Sequence, residues 1–292
     1  MTHAKPGAAE ALFVCTDLDR TLLPNGAQPE SPEARPMFRR LAALPDVHLA
    51  YVSGRDRGLV EAAIAEYDLP VPDFVVGDVG TTIYRVTGGG WQPLEAWWQR
   101  IGTGWEGAEG LPGARPPAIE SLFSDIDGIR LQEPAKQGRY KLSYYAADDL
   151  EPAVLERMRR RLAEARLPAE LVWSIDETTD TGLIDILPAA ATKLGAVEFL
   201  IETAGYRRDR TLFAGDSGND LPVLASAIPS VLVANATAGV RDEARRLAMA
   251  AGTEAALYLA RGSFAGMNGN YAAGILEGVA RYHPRIAERL AD

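Results

Sequence analysis

An apolar run that ends in two aspartates constrains this chain more than any other part of its sequence. The run Leu12-Phe13-Val14-Cys15 is followed closely by Asp17, Asp19 and Thr21. An apolar run bounded by polar residues is typical of a buried strand in a parallel sheet. Because ligands of open α/β sheets bind beyond the carboxyl ends of such strands, we expect the two carboxylates to face a ligand site.

The spacing of the two acids suits a cation. Neighbouring carboxylates would repel each other in a low-dielectric crevice unless a positive group lay between them or one of them held a proton. Mg²⁺ binds to one or two carboxylates together with phosphate oxygens, and an aspartate can also act as a nucleophile that forms an aspartyl-phosphate. Aspartates after strands are also common in turns and helix caps, so the motif alone leaves a structural role equally open.

Composition indicates a globular chain and excludes several classes of function. Of the 292 residues, 47% are hydrophobic, and the net charge of −10 argues against a nucleic-acid partner. The length favours one domain with a second domain inserted or appended. A single cysteine excludes a disulfide framework and a cysteine-based metal site. Since no apolar stretch reaches membrane-spanning length and residues 1–10 lack the apolar segment of a signal peptide, we expect a cytoplasmic protein without a membrane partner.

Strand-like and helix-like segments alternate at both ends of the chain but not in its middle. The alternation covers residues 1–84 and 188–292, as in a doubly wound parallel sheet with a Rossmann-like core. Residues 85–187 combine strands, a helix and a hairpin without strict alternation, which is typical of a small α+β domain. The sequence therefore predicts an α/β core with an inserted α+β domain, and we expect Gly88 to Gly90 to form a flexible joint between them.

Polar residues follow other predicted strands of the core or begin its helices. They are Ser53, Gly54, Lys193, Asp216, Asn219 and Asp220. Each alone could be a helix cap or a surface charge, but a hydroxyl and backbone N–H groups at a helix start can also bind an anion. Carboxylates from two strands can share one Mg²⁺ while the lysine neutralises phosphate oxygens. With the two acids of the first motif, the set suits phosphoryl transfer, which depends on positioning and charge neutralisation.

These motifs resemble those of the haloacid dehalogenase-like phosphatases. The matching stretches are Asp17-Leu-Asp-Arg-Thr21, Ser53-Gly-Arg55, Lys193 and Gly215-Asp-Ser-Gly-Asn-Asp220. The resemblance implies that Asp17 is the nucleophile, and that Asp19 protonates the leaving oxygen and then activates water. It also implies Mg²⁺ as the cofactor, bound by the carboxylates of Asp17 and Asp216 and by the backbone carbonyl of Asp19. Asp220 would complete the metal site by orienting Lys193 or a metal-bound water.

The same resemblance assigns the phosphate-binding residues. Ser53, Gly54 and Asn219 would bind the transferring phosphoryl group, and Lys193 would neutralise its charge. Two residues depart from the family pattern: Arg20 stands where a smaller or polar uncharged residue is usual, and Ser53 replaces a common threonine. Neither departure removes a group that the chemistry needs.

The inserted domain resembles the large cap of the sucrose-phosphate phosphatase branch, which includes mannosylfructose-phosphate phosphatases. The similar stretches are Tyr140-Lys-Leu-Ser-Tyr-Tyr145, Leu183-Ile-Asp-Ile-Leu-Pro188 and Asn268-Gly-Asn-Tyr-Ala-Ala-Gly-Ile-Leu-Glu-Gly-Val279. The resemblance implies a small-molecule substrate, a disaccharide phosphate of the sucrose-6-phosphate or mannosylfructose-phosphate type. Glucosylglycerol-, trehalose- or mannosylglycerate-phosphate, or a sugar phosphomutase on the same scaffold, are the alternatives.

Three residues of the cap are candidates for contacts with the sugar. In the predicted strand Tyr140 to Tyr144, Lys141 and Ser143 share one face, and Asp185 lies in an apolar strand near the return to the core. A solvated face of the cap is the competing interpretation of the first two, and a hinge hydrogen bond is that of the aspartate. Trp97 and Trp98 could stack on sugar rings, but tryptophans this dense in a small domain are more often part of its core.

A signalling receiver domain is an alternative of another class, because it also combines a strand-end aspartate, a hydroxyl and a lysine. The inserted domain and the second acidic strand end argue against it. A mutase would keep the phosphate on the sugar, and Asp19 argues against a member that cannot hydrolyse, because a general acid at that place lets water complete the reaction. Hydrolysis is therefore the activity that we expect.

Overall fold

The chain forms two compact units. The computed structural model describes residues 7–106, 116–147, 152–176 and 181–291. The core unit contains the chain up to Pro93 and from Lys193 onward, and the inserted unit contains Leu94–Thr192. No helix within these described ranges is both long enough and apolar enough to cross a membrane.

Helices and strands alternate along the core unit. Its first part contains β1 (Leu12–Thr16), α1 (Ala34–Ala43), β2 (Val47–Val52), α2 (Arg57–Glu66), β3 (Phe74–Gly77), β4 (Thr82–Thr87) and β5 (Gly90–Pro93). The inserted unit contains α3 (Glu95–Glu106), α4 (Pro116–Glu120), β6 (Ile129–Leu131), β7 (Leu142–Ala146), α5 (Pro152–Glu164), β8 (Ala169–Asp176) and β9 (Thr181–Pro188). The core unit resumes with α6 (Lys193–Ala204), β10 (Thr211–Gly215), α7 (Leu221–Leu224), β11 (Ser230–Leu232), α8 (Ala238–Ala251), β12 (Leu257–Leu259), α9 (Ala272–Tyr282) and α10 (Pro284–Ala291).

The core sheet confirms the predicted α/β class. Its order in the described residues is β12-β11-β10-β1-β2-β3-β4-β5, and β12 to β3 run parallel. Strand β1 lies at the centre and all of its residues are buried, with Leu12 and Val14 in an apolar cluster that includes residues of α1 and α9. The order of the strands reverses between β1 and β10. Their carboxyl ends therefore border the crevice in which such sheets bind ligands.

The entrance to the inserted unit differs from the sequence prediction. Gly88 to Gly90, expected to be a flexible joint, form the turn between β4 and β5, where Gly90 has a left-handed φ of +111° that favours glycine. Strand β4 pairs antiparallel with β3, and β5 pairs with β4, so residues 85–93 extend the core sheet. The inserted unit accordingly begins at Leu94 rather than residue 85, and it ends at Thr192 rather than residue 187.

The inserted unit has its own antiparallel sheet and core. The strand order among its described residues is β6-β7-β9-β8. Trp97 and Trp105 are fully buried, and the indole Nε1 of Trp105 donates a hydrogen bond to the carbonyl of Pro168 (3.1 Å). Alternation along β9 buries Ile184 and Ile186 and leaves the intervening side chains half-buried. Trp97 is thus part of the core of the unit, as the density of tryptophans favoured, whereas Trp98 is only half-buried.

Candidate active site

The site begins where β1 ends. The backbone N–H of Asp17 donates to the carbonyl of Ala214 (2.9 Å), which extends the pairing of β1 with β10 by one residue. The Asp17 side chain is buried, with only 5% of the residue exposed. Burial raises the pKa of Asp17 to about 7, against the lowering effect of the nearby Lys193 ammonium. A buried carboxylate without a cation nearby would be neutral. The ammonium of Lys193 is what allows Asp17 to ionise.

Lys193 bridges two of the predicted acids. It begins α6, and its Nζ lies 3.0 Å from Asp17 Oδ1 and 2.7 Å from Asp220 Oδ1. Burial lowers the pKa of the lysine, but the two adjacent carboxylates outweigh burial and raise it above the ordinary value. The ammonium therefore remains charged in a place that excludes most water. Two acids from different strand ends are held to one cation.

Asp220 organises the loop after β10. Its Oδ2 accepts hydrogen bonds from the backbone N–H groups of Asp216 and Ser217, each at 3.0 Å. A Cβ at Gly215 would come within 2.5 Å of the Asp220 carboxyl carbon, so only glycine allows this closure. The Thr21 hydroxyl donates to Asp216 Oδ1 (3.1 Å). Burial, with a contribution from the charge of Asp220, raises the pKa of Asp216 to about 6.

These acids form a cluster that could hold a cation. One carboxylate oxygen each of Asp17, Asp216 and Asp220 lie within 4.8 Å of one another, and all three residues are buried. Oxygen ligands of this type are those that hard divalent cations prefer. Burial raises the pKa values of Asp17 and Asp216, and a cation bound between them would favour their ionised forms. The donor set thus fits a divalent cation on charge as well as on chemistry.

Asp19 stands apart from the cluster. Arg55 binds its carboxylate through two bonds, from Nε to Oδ2 (2.8 Å) and from Nη2 to Oδ1 (2.6 Å). Asn25 Nδ2 donates a further bond to Oδ1 (2.7 Å). Burial raises the pKa of Asp19, but these hydrogen bonds and the arginine charge together hold it below its ordinary value. Asp19 is therefore an ionised carboxylate bound by Arg55 and Asn25, and its side chain is not part of the acidic cluster.

The remaining predicted phosphate ligands lie beside a cavity at the same edge of the sheet. The cavity measures about 430 Å³, and its lining includes Asp17, Asp19, Gly54 and Asn219. Ser53 follows β2 and is buried, and its Oγ accepts a hydrogen bond from the backbone N–H of Arg55 (3.2 Å). The structure thus brings residues from three strand ends to one crevice.

Three residues at this site have no role that the sequence predicted. Arg55 belongs to the second motif, but its partner Asp19 lies 36 positions away in sequence. Asn25 binds the same carboxylate. Arg20 departs from the family pattern, and it lines the cavity. A charged residue in an otherwise uncharged motif position was the one available signal.

The sugar-binding candidates all lie in the inserted unit. Ser143 and Asp185 are directly opposed in the register of β7 and β9, and the serine hydroxyl donates to Asp185 Oδ1. Ser143 is buried, whereas Lys141 is half-buried and precedes β7, where its carbonyl accepts a bond from Gly138 N–H (3.0 Å). Ser143 and Asp185 therefore pair with each other, and Ser143 has little exposed surface.

Comparisons with known proteins identify the family. The sequence model of sucrose-6F-phosphate phosphohydrolase matches residues 10–283. A HAD-like hydrolase of Nitrosococcus oceani is 50% identical over 277 residues, which are 94% of this chain and 72% of that protein. The mannosylfructose-phosphate phosphatase of Agrobacterium fabrum is 31% identical over 230 residues, 77% of this chain and 83% of that protein.

Solved structures agree on the fold. A sucrose-phosphatase from Synechocystis, determined in complex with sucrose and phosphate, is 20% identical and has a TM-score of 0.68. The match covers 94% of this chain and 98% of that one. With the motif geometry described above, the chain belongs to the sucrose-6F-phosphate phosphohydrolase family and is a haloacid dehalogenase-like phosphatase.

Proposed function

We propose that this protein is a cytoplasmic, Mg²⁺-dependent phosphatase that hydrolyses a disaccharide phosphate of the sucrose-6-phosphate or mannosylfructose-phosphate type. The observation that carries the proposal is the buried bridge of Lys193 between Asp17 and Asp220, next to Asp216. Strand-end carboxylates and a buried ammonium provide the positioning and the charge that phosphoryl transfer requires. The likeness to a mannosylfructose-phosphate phosphatase supports the class of substrate.

The acidic cluster is the proposed Mg²⁺ site. Asp17 and Asp216 would bind the ion through their carboxylates, and Asp19 would bind it through its backbone carbonyl. Both oxygens of Asp220 accept hydrogen bonds, from the lysine and from the loop, and we propose that Asp220 completes the site by orienting Lys193 or a metal-bound water. A bound divalent ion supplies positive charge that stabilises the phosphoryl oxygens during transfer.

Asp17 is the proposed nucleophile. Its Oδ1 lies 3.0 Å from the ammonium of Lys193, which favours the ionised form needed for attack on phosphorus. Attack forms an aspartyl-phosphate and breaks the bond to the sugar oxygen. The lysine, with Ser53, Gly54 and Asn219, would bind the transferring oxygens, and preorganised donors of this kind are most effective where water is excluded.

Asp19 is the proposed general acid and base. It would give a proton to the leaving sugar oxygen and later take one from the water that cleaves the aspartyl-phosphate. In the structure its carboxylate is ionised and bound by Arg55 and Asn25. To act as an acid, Asp19 must accept a proton, and we propose that it first releases at least one of these bonds.

The inserted unit is proposed to select the sugar. Lys141, Ser143 and Asp185 remain our candidates, and the hydrogen bond between Ser143 and Asp185 would fix the aspartate for hydroxyl recognition. A charged lysine together with hydroxyl and carboxylate groups suits a polyhydroxylated substrate. Replacing Lys141 by Met should then raise KM for the preferred disaccharide phosphate more than KM for a small phosphate ester.

Phosphate release from a panel of sugar phosphates tests the proposal. The panel contains sucrose-6-phosphate, mannosylfructose-phosphate, glucosylglycerol-phosphate, trehalose-6-phosphate and glucose-6-phosphate, each with Mg²⁺ and with EDTA. We expect Mg²⁺-dependent release with a marked preference for one disaccharide phosphate. Equal, weak release from every ester would contradict the disaccharide class, and transfer of phosphate within the sugar without release would indicate a mutase.

A further inference from the structure

Arg20 occupies a backbone conformation that arginine rarely adopts. Its φ is +58°, in the left-handed region that favours glycine or asparagine. The conformation is fixed from both sides, because Asn25 Oδ1 accepts a bond from the Arg20 N–H (2.8 Å) and Asn235 Nδ2 donates to the Arg20 carbonyl (2.6 Å). A long cationic side chain at a place where the backbone favours a small residue calls for a reason in the side chain itself.

The Arg20 side chain faces the acidic cluster with few partners. Its Nε lies 3.5 Å from Asp216 Oδ2, too far for a good hydrogen bond, and this nitrogen is buried without a hydrogen-bond partner. The side chain is 39% exposed and lines the cavity that also contains Asp17. Arg55, in contrast, binds Asp19 through two short bonds. Arg20 thus places a positive charge in the cavity, and the protein groups around it pair with this charge only in part.

The charge of Arg20 should have opposite effects on the binding of the divalent cation and on the binding of the phosphoryl anion. Among the described residues, Lys193 is the one cationic side chain besides Arg20 that lies close to the clustered carboxylates. A divalent ion bound at Asp216 would lie close to the guanidinium and would be repelled by it, whereas a phosphoryl anion in the same cavity would be attracted.

We infer that Arg20 balances the charge of this site: it weakens binding of the divalent cation to the free enzyme and strengthens binding of the phosphoryl anion. The inference rests on the proposed Mg²⁺ site at Asp216. Adding a metal–oxygen distance of about 2.1 Å to the 3.5 Å ion pair places the two positive charges roughly 5 to 6 Å apart. Coulomb's law at the dielectric constant of water then gives about a tenfold effect on cation affinity at low ionic strength.

Two variants separate the charge of the side chain from its shape. Arg20→Gln removes the charge, and Arg20→Lys retains it, while both keep a long side chain on the same left-handed backbone. Arg208→Gln is the matched control, because it makes the same change of net charge at the amino end of β10, the end opposite Asp216. Far-ultraviolet circular dichroism verifies the fold of each variant.

Calorimetric titration measures binding of Mn²⁺ to the substrate-free protein, and separately binding of inorganic phosphate to the Mn²⁺-saturated protein. We expect Arg20→Gln to bind Mn²⁺ about tenfold more tightly and phosphate several-fold more weakly, with Arg20→Lys and Arg208→Gln within about twofold of the wild type. A role in folding alone would not move the two affinities in opposite directions.

Two kinds of result would overturn the inference, and they are distinguishable. Unchanged or weaker Mn²⁺ binding by Arg20→Gln, or a shift of both ligands in the same direction, would exclude charge balancing while leaving the metal site intact. If the wild type binds no Mn²⁺, or if Asp216→Asn leaves the binding unchanged, the proposed metal site itself is wrong and the role of Arg20 falls with it.

Discussion

Replacing Lys193 by Met should lower the stability of the protein, because this lysine offsets the cost of burying two carboxylates. The substitution keeps a long apolar stem but removes the ammonium that lies 3.0 Å from Asp17 and 2.7 Å from Asp220. Both carboxylates would remain buried without a cationic partner. Removing one partner of a buried ion pair destabilises a protein by roughly 3–5 kcal/mol, and we expect a loss of this size in metal-free protein at pH 8.

The loss should depend on pH in a defined direction. The pKa of Asp17 is already about 7 in the presence of the lysine and should rise further without it. At pH 6 the variant can therefore relieve part of the penalty by taking up a proton, so its destabilisation should be smaller than at pH 8. Urea unfolding followed by circular dichroism in EDTA at both values of pH measures the difference.

Two control variants test the origin of the effect. Lys136→Met removes an exposed lysine of the inserted unit and should change stability by no more than about 0.5 kcal/mol. Adding Asp220→Asn to Lys193→Met removes one of the unpaired charges and should recover part of the loss. A Lys193→Met variant that loses less than about 1 kcal/mol, with the same value at pH 6 and pH 8, would refute the reasoning.

Three further predictions concern the acids of the core unit. Asp19→Ala should slow hydrolysis by roughly 10²- to 10⁴-fold while the protein stays folded, and single-turnover rates near those of the wild type would remove it as the acid. The pKa values of about 7 for Asp17 and about 6 for Asp216 exceed the ordinary aspartate value, so these two groups should lower the stability of metal-free protein as pH rises from about 4 to about 7, against a smaller opposite effect of His283, whose pKa burial lowers to about 4. Saturating Mg²⁺ should flatten that dependence, and identical urea midpoints with and without the ion would count against the site. Glu277 is buried and accepts bonds from Tyr258, Ser263 and two backbone N–H groups, so Glu277→Ala should cost about 2–4 kcal/mol, and Glu277→Gln less. Thermal unfolding compares the two variants, and equal losses would show that the carboxylate is not what matters.

The sequence predicted those parts of the site that are fixed by local pattern. An apolar run that stops at an acid identified β1 and Asp17, and similar stops identified Ser53 and Asp216. Their convergence followed from topology, because carboxyl ends of parallel strands meet at one edge of a sheet. The α/β class was confirmed for the same reason, since alternating strands and helices permit few other arrangements.

What the sequence could not predict depends on partners that are distant along the chain. A glycine run serves equally as a hinge or as a hairpin turn, and only the pairing of β4 with β3 decides that Gly88 to Gly90 form a turn. Likewise, the state of Asp19 depends on Arg55, and the surroundings of Asp216 depend on Arg20, almost two hundred residues away. Side-chain pairs of this kind arise from tertiary packing and leave no periodic signal in sequence.

The position of the second border between the units has a mechanical consequence. The inserted unit ends at Thr192, so Lys193 is the first residue of the core unit on the return path and the first residue of α6. The outgoing path, by contrast, leaves through the β4–β5 hairpin, whose ladder anchors it to the sheet. Because no residue separates Thr192 from Lys193, we expect a change of backbone conformation in residues 189–192 to alter the position of the ammonium. Changes in this short segment, even conservative ones, should therefore alter turnover more than comparable changes after Pro93.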